Sequence, residues 1–248
     1  MKDSRAGASA EATLDTILGG TISLFQPRRG YRFSIDSLLL AKFATVKAHA
    51  RILDLGSGCG VIALMLASLA RVREVVALEV QPTLVKLIER NARLNDLRNL
   101  RAVCSDLRTR KIAGLEPASF DLVVANPPYR AIGSGCEAPE RGRRVARSET
   151  AATLDDFVFA ARRYARHGGR VAMVFTASRA VEIIATLRRH RLEPKRVRFV
   201  HPLRDSPAVS VLVESRVGGG VELIVDPPLF IHQSPGVYTA EARELLNC

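Results

Sequence analysis

The chain predicts an α/β fold, a doubly wound, mostly parallel sheet with right-handed crossovers. Three observations carry that prediction. Short apolar strands alternate with helical patterns from Arg51 to His190, and a glycine-rich turn, Gly56-Ser57-Gly58-Cys59-Gly60, joins one strand to a helix. The fourth strand of this series runs out into Asn126-Pro127-Pro128-Tyr129. Open α/β sheets bind their ligands at this C-terminal edge.

The first element is expected at residues 34–44, where Ser34 or Asp36 caps a helix with one apolar face of Leu and Phe. Residues 51–55 read as a buried strand, and the nearly all-apolar 61–70 as a buried helix. The alternation continues with a strand at 74–79 and a helix at 81–95, whose first turn takes Pro82. Strands follow at 100–104 and 120–125. A helix at 154–167 opens on Asp155 and Asp156, which favour its dipole. A strand at 169–175 and a helix at 179–190 complete the alternating part. Segments 195–200, 208–214 and 221–225 then read as strands with short connections, so antiparallel pairing is expected at the end. Residues 130–150, rich in Gly and Arg, and the proline-bearing 227–236 are expected to be irregular. The chain divides into a basic N-terminal segment, 1–33, and a single domain, 34–248. No internal repeat is visible.

At 248 residues, 47% of them apolar, the chain can bury a core without staples. No run reaches the length of a membrane span and the first residues lack a signal-peptide core, so no membrane association is expected. Cys59, Cys104, Cys136 and Cys248 are scattered without metal-binding spacing, which argues against a bound metal and for the cytoplasm. The net charge of +12, carried mainly by Arg, points to a polyanionic partner, nucleic acid before an anionic membrane. A general use of Arg as solubilising cation accounts for part of it. A monomer or weak homodimer is expected.

The glycines after Leu53-Asp54-Leu55 allow a ligand to approach the backbone and the helix N-terminus. A dinucleotide fingerprint requires Gly-x-Gly-x-x-Gly, but Gly60 follows Gly58 by two and position 61 is Val. Asp54 also sets a carboxylate where a pyrophosphate would lie. S-adenosyl-L-methionine suits the site better, because its sulfonium and amino group are cationic. Glu79, closing the next strand, is placed to accept the ribose hydroxyl protons. Asp106, after the third strand, is placed to contact the adenine amino group.

Asn126 offers a side-chain carbonyl, and a residue preceding proline is biased to extended geometry. Neither Pro127 nor Pro128 has an N–H, so their carbonyls are presented without the chain turning into a helix. Tyr129 adds a flat ring. Together they can hold a planar group bearing an NH2, with Asn126 Oδ1 and the Pro127 carbonyl accepting its two protons. Such bonds favour a pyramidal nitrogen, and positioning plus charge stabilisation then carry catalysis without a general base.

With these motifs the chain resembles the class I S-adenosylmethionine-dependent methyltransferases, in the branch with Asn-Pro-Pro-Tyr, over about residues 34 to 215. The resemblance implies a seven-stranded Rossmann-like sheet with its last strand antiparallel, and methylation of a planar nitrogen. Three acceptors remain open on the motif alone: adenine N6 in structured RNA, a protein glutamine amide as in release factors, or guanine N2 in ribosomal RNA or an amine in DNA. A basic RNA-binding protein with a vestigial cofactor loop is the non-enzyme alternative. The stretch from Gln26 to Ala41, with Val200-His201-Pro202-Leu203 and Gly236 to Glu241, is similar to the bacterial tRNA (adenine-N6)-methyltransferases that modify valine tRNA beside the anticodon. That resemblance implies that Phe33 and Asp36 border the cofactor's methionine end and that Arg28, Arg29 and Arg32 face tRNA. Arg130, Arg141, Arg143, Arg144 and Arg147 follow Tyr129, where an RNA backbone would pass.

Overall fold

Strands buried on both faces need helices on both sides, and the sequence supplies them in alternation. The computed structural model describes residues 12–28, 32–128 and 152–246. Its strands are β1 (Ala12–Ile17), β2 (Ile22–Pro27), β3 (Arg51–Leu55), β4 (Glu74–Glu79), β5 (Leu100–Cys104), β6 (Phe120–Ala125), β7 (Ala165–Thr176), β8 (Leu192–His201) and β9 (Ser210–Val217). Four short ones follow: β10 (Ile224–Val225), β11 (Leu229–Phe230), β12 (His232–Ser234) and β13 (Val237–Tyr238). The helices are α1 (Ile35–Phe43), α2 (Val61–Ala67), α3 (Pro82–Leu94), α4 (Leu154–Tyr164), α5 (Ala180–Arg189) and α6 (Ala240–Leu246).

The central sheet runs β10-β8-β9-β7-β6-β3-β4-β5, with β11 also on β8. Strands β3 to β7 pair in parallel, and β9 lies antiparallel between β7 and β8. Strand β8 therefore points the same way as the parallel set, and its end, His201, lies on the same edge as Glu79 and Asn126. Seven long strands make up the expected doubly wound sheet. The two-residue β10 and β11 extend it to nine strands.

One apolar cluster packs α1, α2, α3, α6 and the β1–β2 hairpin against the first face, and a second packs α4 and α5 against the other. Helix α4 starts on a capping box: Asp156 N–H donates to Thr153 Oγ1 at 3.2 Å, and Thr153 N–H to Asp156 Oδ2 at 2.8 Å. Glu214 on the central antiparallel strand is buried. Its carboxylate accepts from Arg170 at 2.5 Å and from Thr45 N–H at 2.7 Å, so the charge is paired where it would otherwise be costly.

Three sequence-based expectations change. Segment 221–225 shortens to β10, which pairs parallel to β8 and not in an antiparallel hairpin. Residues 227–236 are not irregular but carry β11 and β12, followed by β13 and α6. Elements also begin before Ser34, with the hairpin of β1 and β2. Its turn holds Leu18, Gly19 and Gly20 at φ of 53°, 61° and 84°, the left-handed region that Gly-Gly accommodates.

That hairpin docks through amide side chains. Asn95, which caps the C-terminus of α3, accepts from Ser23 N–H at 2.9 Å and donates to the Ser23 carbonyl at 2.7 Å. One turn earlier, Asn91 accepts from Phe25 N–H at 2.7 Å and donates to the Phe25 carbonyl at 2.9 Å. The two amides thus serve β2 as a neighbouring strand would. Asn91 also donates to the Cys59 carbonyl at 3.1 Å and is fully buried. Asn91→Ala should cost about 2–4 kcal/mol in urea unfolding, since it strands buried backbone groups of Phe25 and Cys59. A loss within about 0.5 kcal/mol, the range of ordinary surface changes, would mean that these groups find other partners.

Candidate active site

The loop leaving β3 turns sharply. Gly56, Gly58 and Gly60 have φ of 68°, 59° and 89°, where a side chain is strained. A Cβ on Gly60 would also stand 3.0 Å from Ile88, and one on Gly56 3.1 Å from the Phe157 ring. The Leu78 carbonyl accepts from Gly56 N–H at 2.8 Å and from Ser57 N–H at 3.1 Å. Glu79, buried at the end of β4, accepts from Gly58 N–H at 2.9 Å and from Gln81 N–H at 2.9 Å. Each of its oxygens keeps a lone-pair direction to spare.

Asp54 lies beneath this loop, 1% exposed, and neither carboxylate oxygen makes a hydrogen bond of ordinary geometry, with the Ser57 side chain and the Ala63 N–H only near enough to ease its charge. Burial pushes its pKa up to about 7, and the nearby Glu79 charge adds to the rise. A buried carboxylate without a partner is costly, and a cation offered to it from the loop side would relieve that cost. Cys59 in the same loop is held neutral, since burial pushes its thiol up to about 11, and the Phe33 backbone N–H faces its sulfur.

Asn126 follows β6 directly, and the pairing of Ala125 with Leu55 sets it beside the glycine loop. Its amide NH2 donates to Ser37 Oγ on α1 at 3.0 Å. With the NH2 so engaged, Oδ1 is the end of the amide left to accept. Pro127 is buried and Pro128 exposed. Helix α1 is itself tied to the sheet, because Asp36 Oδ1 accepts from Ser210 Oγ at 2.8 Å and Asp36 Oδ2 from Ser34 Oγ at 3.3 Å. Phe33 packs on the core just before this helix.

The glycine loop, Asp54, Glu79, Phe33, Asp36 and Asn126 thus gather around one edge. Other expected site residues do not converge so simply. Asp106 is closed onto Arg108, whose guanidinium lies 2.5 Å from Oδ2 and whose N–H donates to Oδ1 at 2.8 Å. That pairing holds the carboxyl below its usual range. Arg32 turns back to the hairpin, 3.1 Å from Asp15 and 2.9 Å from Thr13. Arg28 is exposed at the end of β2. Tyr129, Arg29, Arg130, Arg141, Arg143, Arg144 and Arg147 lie outside the described residues. Among the described residues no helix is long and apolar enough to cross a membrane, and no cluster of His, Cys, Asp or Glu could hold a metal ion.

The sequence reading missed Ser37, Ser210, Asn91 and Phe157. None of them declares itself in the residues, since even Asn91 stands at helical spacing from Leu84, Leu87 and Ile88, on a face that otherwise reads as apolar.

Known proteins share this architecture. A predicted O-methyltransferase from Agrobacterium tumefaciens superposes with a TM-score of 0.69 at 24% identity, covering 86% of this chain and 95% of its own. TYW2 from M. jannaschii, solved with AdoMet, superposes at 0.57 with 15% identity, covering 83% and 85%. In sequence, proteins named tRNA1(Val) (adenine(37)-N6)-methyltransferase are similar. The one from Tolumonas auensis is 29% identical over 69% of this chain and 73% of its own length. Those from Porphyromonas gingivalis strain W83 and Aeromonas hydrophila are each 28% identical, covering 85% of both chains and 89% and 90% respectively. The family model described as Methyltransferase small domain matches residues 32–192. That span holds α1, the glycine loop, Glu79 and Asn126, and the chain belongs to the methyltransferase small domain family.

Proposed function

We propose that the protein transfers the methyl group of S-adenosyl-L-methionine to N6 of an adenine in tRNA, in valine tRNA beside the anticodon. The observation that carries this reading is the orientation of Asn126. Ser37 takes its NH2, so Oδ1 is turned to accept and, with the Pro127 carbonyl, makes a pair of acceptors that matches an exocyclic amine. The names of the relatives in three bacterial genera support tRNA and adenine N6 as the substrate. The net charge of +12 supports a polyanionic one.

The residues at the glycine loop fit the cofactor. Asp54 has buried carboxylate oxygens unpartnered and suited to a cation, and Glu79 has lone pairs left for the ribose hydroxyls. Asp106 joins them only if Arg108 releases it. When bound, the cofactor supplies an electrophilic methyl on a sulfonium. Asn126 Oδ1 and the Pro127 carbonyl hold the amine so that its lone pair faces that methyl, and stabilise the nitrogen as it becomes cationic. Tyr129 stacks on the base, which has to leave its helical stack first. Asp54, Glu79 and the glycine loop would hold the cofactor so that its methyl group is offered to the amine, whose surplus proton would leave to water. Arg28, Arg29, Arg130, Arg141, Arg143, Arg144 and Arg147 meet the RNA backbone.

Labelled methyl should appear in an unmodified valine tRNA transcript and not in an isolated release-factor domain. The reverse pattern moves the assignment to glutamine. Asn126→Ala should lower kcat about 10²–10³-fold with cofactor affinity within a few-fold. Ser37→Ala, which only frees the amide to rotate, should lower kcat about ten- to a hundredfold at unchanged cofactor affinity. Wild-type turnover in either variant removes the acceptor mechanism.

Asp54 gives a pH signature. Its folded pKa of about 7 stands above the ordinary 3.8, so between these values the unliganded protein holds a proton that the unfolded chain has lost. Stability of the unliganded protein should therefore fall as pH rises through this window. Affinity for the cationic cofactor should rise over the same range, as the carboxylate ionises, and level off above about 7. Calorimetric titration from pH 5.5 to 8 measures it. A flat profile in the wild type, or a profile unchanged in Asp54→Asn, contradicts this role for Asp54.

A further inference from the structure

The last fifth of the chain builds a surface beside the site that the mechanism above does not use. Strand β8 ends at His201 on the same edge as Asn126, three strand spacings away across β7 and β9, or about 14 Å. Strand β11 pairs there in parallel and sets Phe230 against His201, with ring centroids 5.4 Å apart. The exposed Arg204 carries its guanidinium over the Phe230 ring at 5.6 Å and has no carboxylate partner among the described residues. Beyond it, His232 and Tyr238 stack at 4.8 Å with 19° between their planes. All four rings are partly exposed.

Backbone bonds hold this group in place. Ile231 N–H donates to the His201 carbonyl and His232 N–H to the Pro202 carbonyl, both at 2.9 Å. Thr239 Oγ1 donates to the Phe230 carbonyl at 2.7 Å. Arg198 pins the segment to β8 by donating to the Pro227 carbonyl at 3.0 Å and to Glu241 at 2.5 Å. His201 Nδ1 lies 2.8 Å from the Ser206 carbonyl. A carbonyl can only accept, so Nδ1 carries the proton and Nε2 of the neutral ring is free to accept one. The surface is also coupled to the acceptor site. Ser210 pairs with Val200 next to His201, and its hydroxyl holds Asp36, the neighbour of the Ser37 that orients Asn126.

Flat rings interleaved with an unpaired guanidinium, rigidly presented on the ligand-binding edge, are what unstacked nucleotides require. Bases stack on the rings and on the guanidinium plane, and the arginine also meets a phosphate. We infer that His201, Arg204, Phe230, His232 and Tyr238 form a stacking platform for the single-stranded nucleotides that flank the methylated adenine. The inference rests on the RNA reading of the site. It gives the C-terminal segment a substrate-binding role, in place of packing alone.

Two variants test it with an anticodon stem-loop of valine tRNA as probe. Arg204→Glu changes an exposed side chain and leaves the core alone, while Phe230→Leu removes a ring and keeps apolar bulk. Fluorescence anisotropy should show RNA affinity reduced about tenfold or more in each. Cofactor affinity and thermal midpoint should stay at wild-type values for Arg204→Glu. Wild-type RNA affinity in Arg204→Glu, with the wild type itself methylating the stem-loop, overturns the platform and leaves the functional reading intact. A wild type that neither binds nor methylates the stem-loop overturns both.

Discussion

Every residue of the loop from Gly56 to Gly60 is tied down, and the ties come from three different parts of the chain. Leu78 and Glu79 at the end of β4 take the N–H groups of residues 56 to 58, Asn91 on α3 donates to the Cys59 carbonyl, and Gly60 N–H closes back on Ser57 at 2.8 Å. The loop can be held this way only because its three glycines accept positive φ and because Ile88 and Phe157 fill the space where side chains would project. Asp54 is sealed beneath it, unpartnered, so the loop's rigidity is also what keeps a carboxylate in an unfavourable place. Strain of this sort is stable only where the surroundings over-determine it.

The acceptor side depends on a different kind of fastening. Asn126 leaves β6 into two prolines, which fix its backbone but not its amide. Helix α1 supplies the missing constraint through Ser37, and the helix is placed by the bond between Asp36 and Ser210 on the antiparallel strand. Elements far apart in sequence thus converge on one amide. The antiparallel insertion of β9 serves the site twice, since it anchors α1 and lets β8 end on the catalytic edge.

Much of this was legible in the residues. Strands β3 and β6 end where apolar runs meet Gly56 and Asn126, and β5 begins after Asn99, so runs of apolar residues bounded by turn residues mark these limits. The glycine loop, Glu79 and Asn126 follow from strand ends alone. The hairpin was overlooked although Leu18-Gly19-Gly20-Thr21 between two alternating runs is a turn signal. Residues 227–236 read as irregular because their strands are only two or three residues long, β11 taking its pairing from β8 and β12 from β13. Ser37 and Asn91 could not be read at all, because a buried polar side chain declares itself only through a partner distant in sequence. The pairing of Asp106 with Arg108 is a different case, since whether side chains two residues apart meet depends on the turn between them and not on the residue types.

The central claim is that a pair of acceptors, oriented from α1, delivers adenine N6 of a tRNA to the methyl donor. Nucleoside mass spectrometry of valine tRNA from cells with and without this gene tests it most directly. N6-methyladenosine should vanish from that tRNA when the gene is removed and return with the wild-type gene but not with one encoding Asn126→Ala. Unchanged N6-methyladenosine in the valine tRNA of the deletion strain would contradict the account.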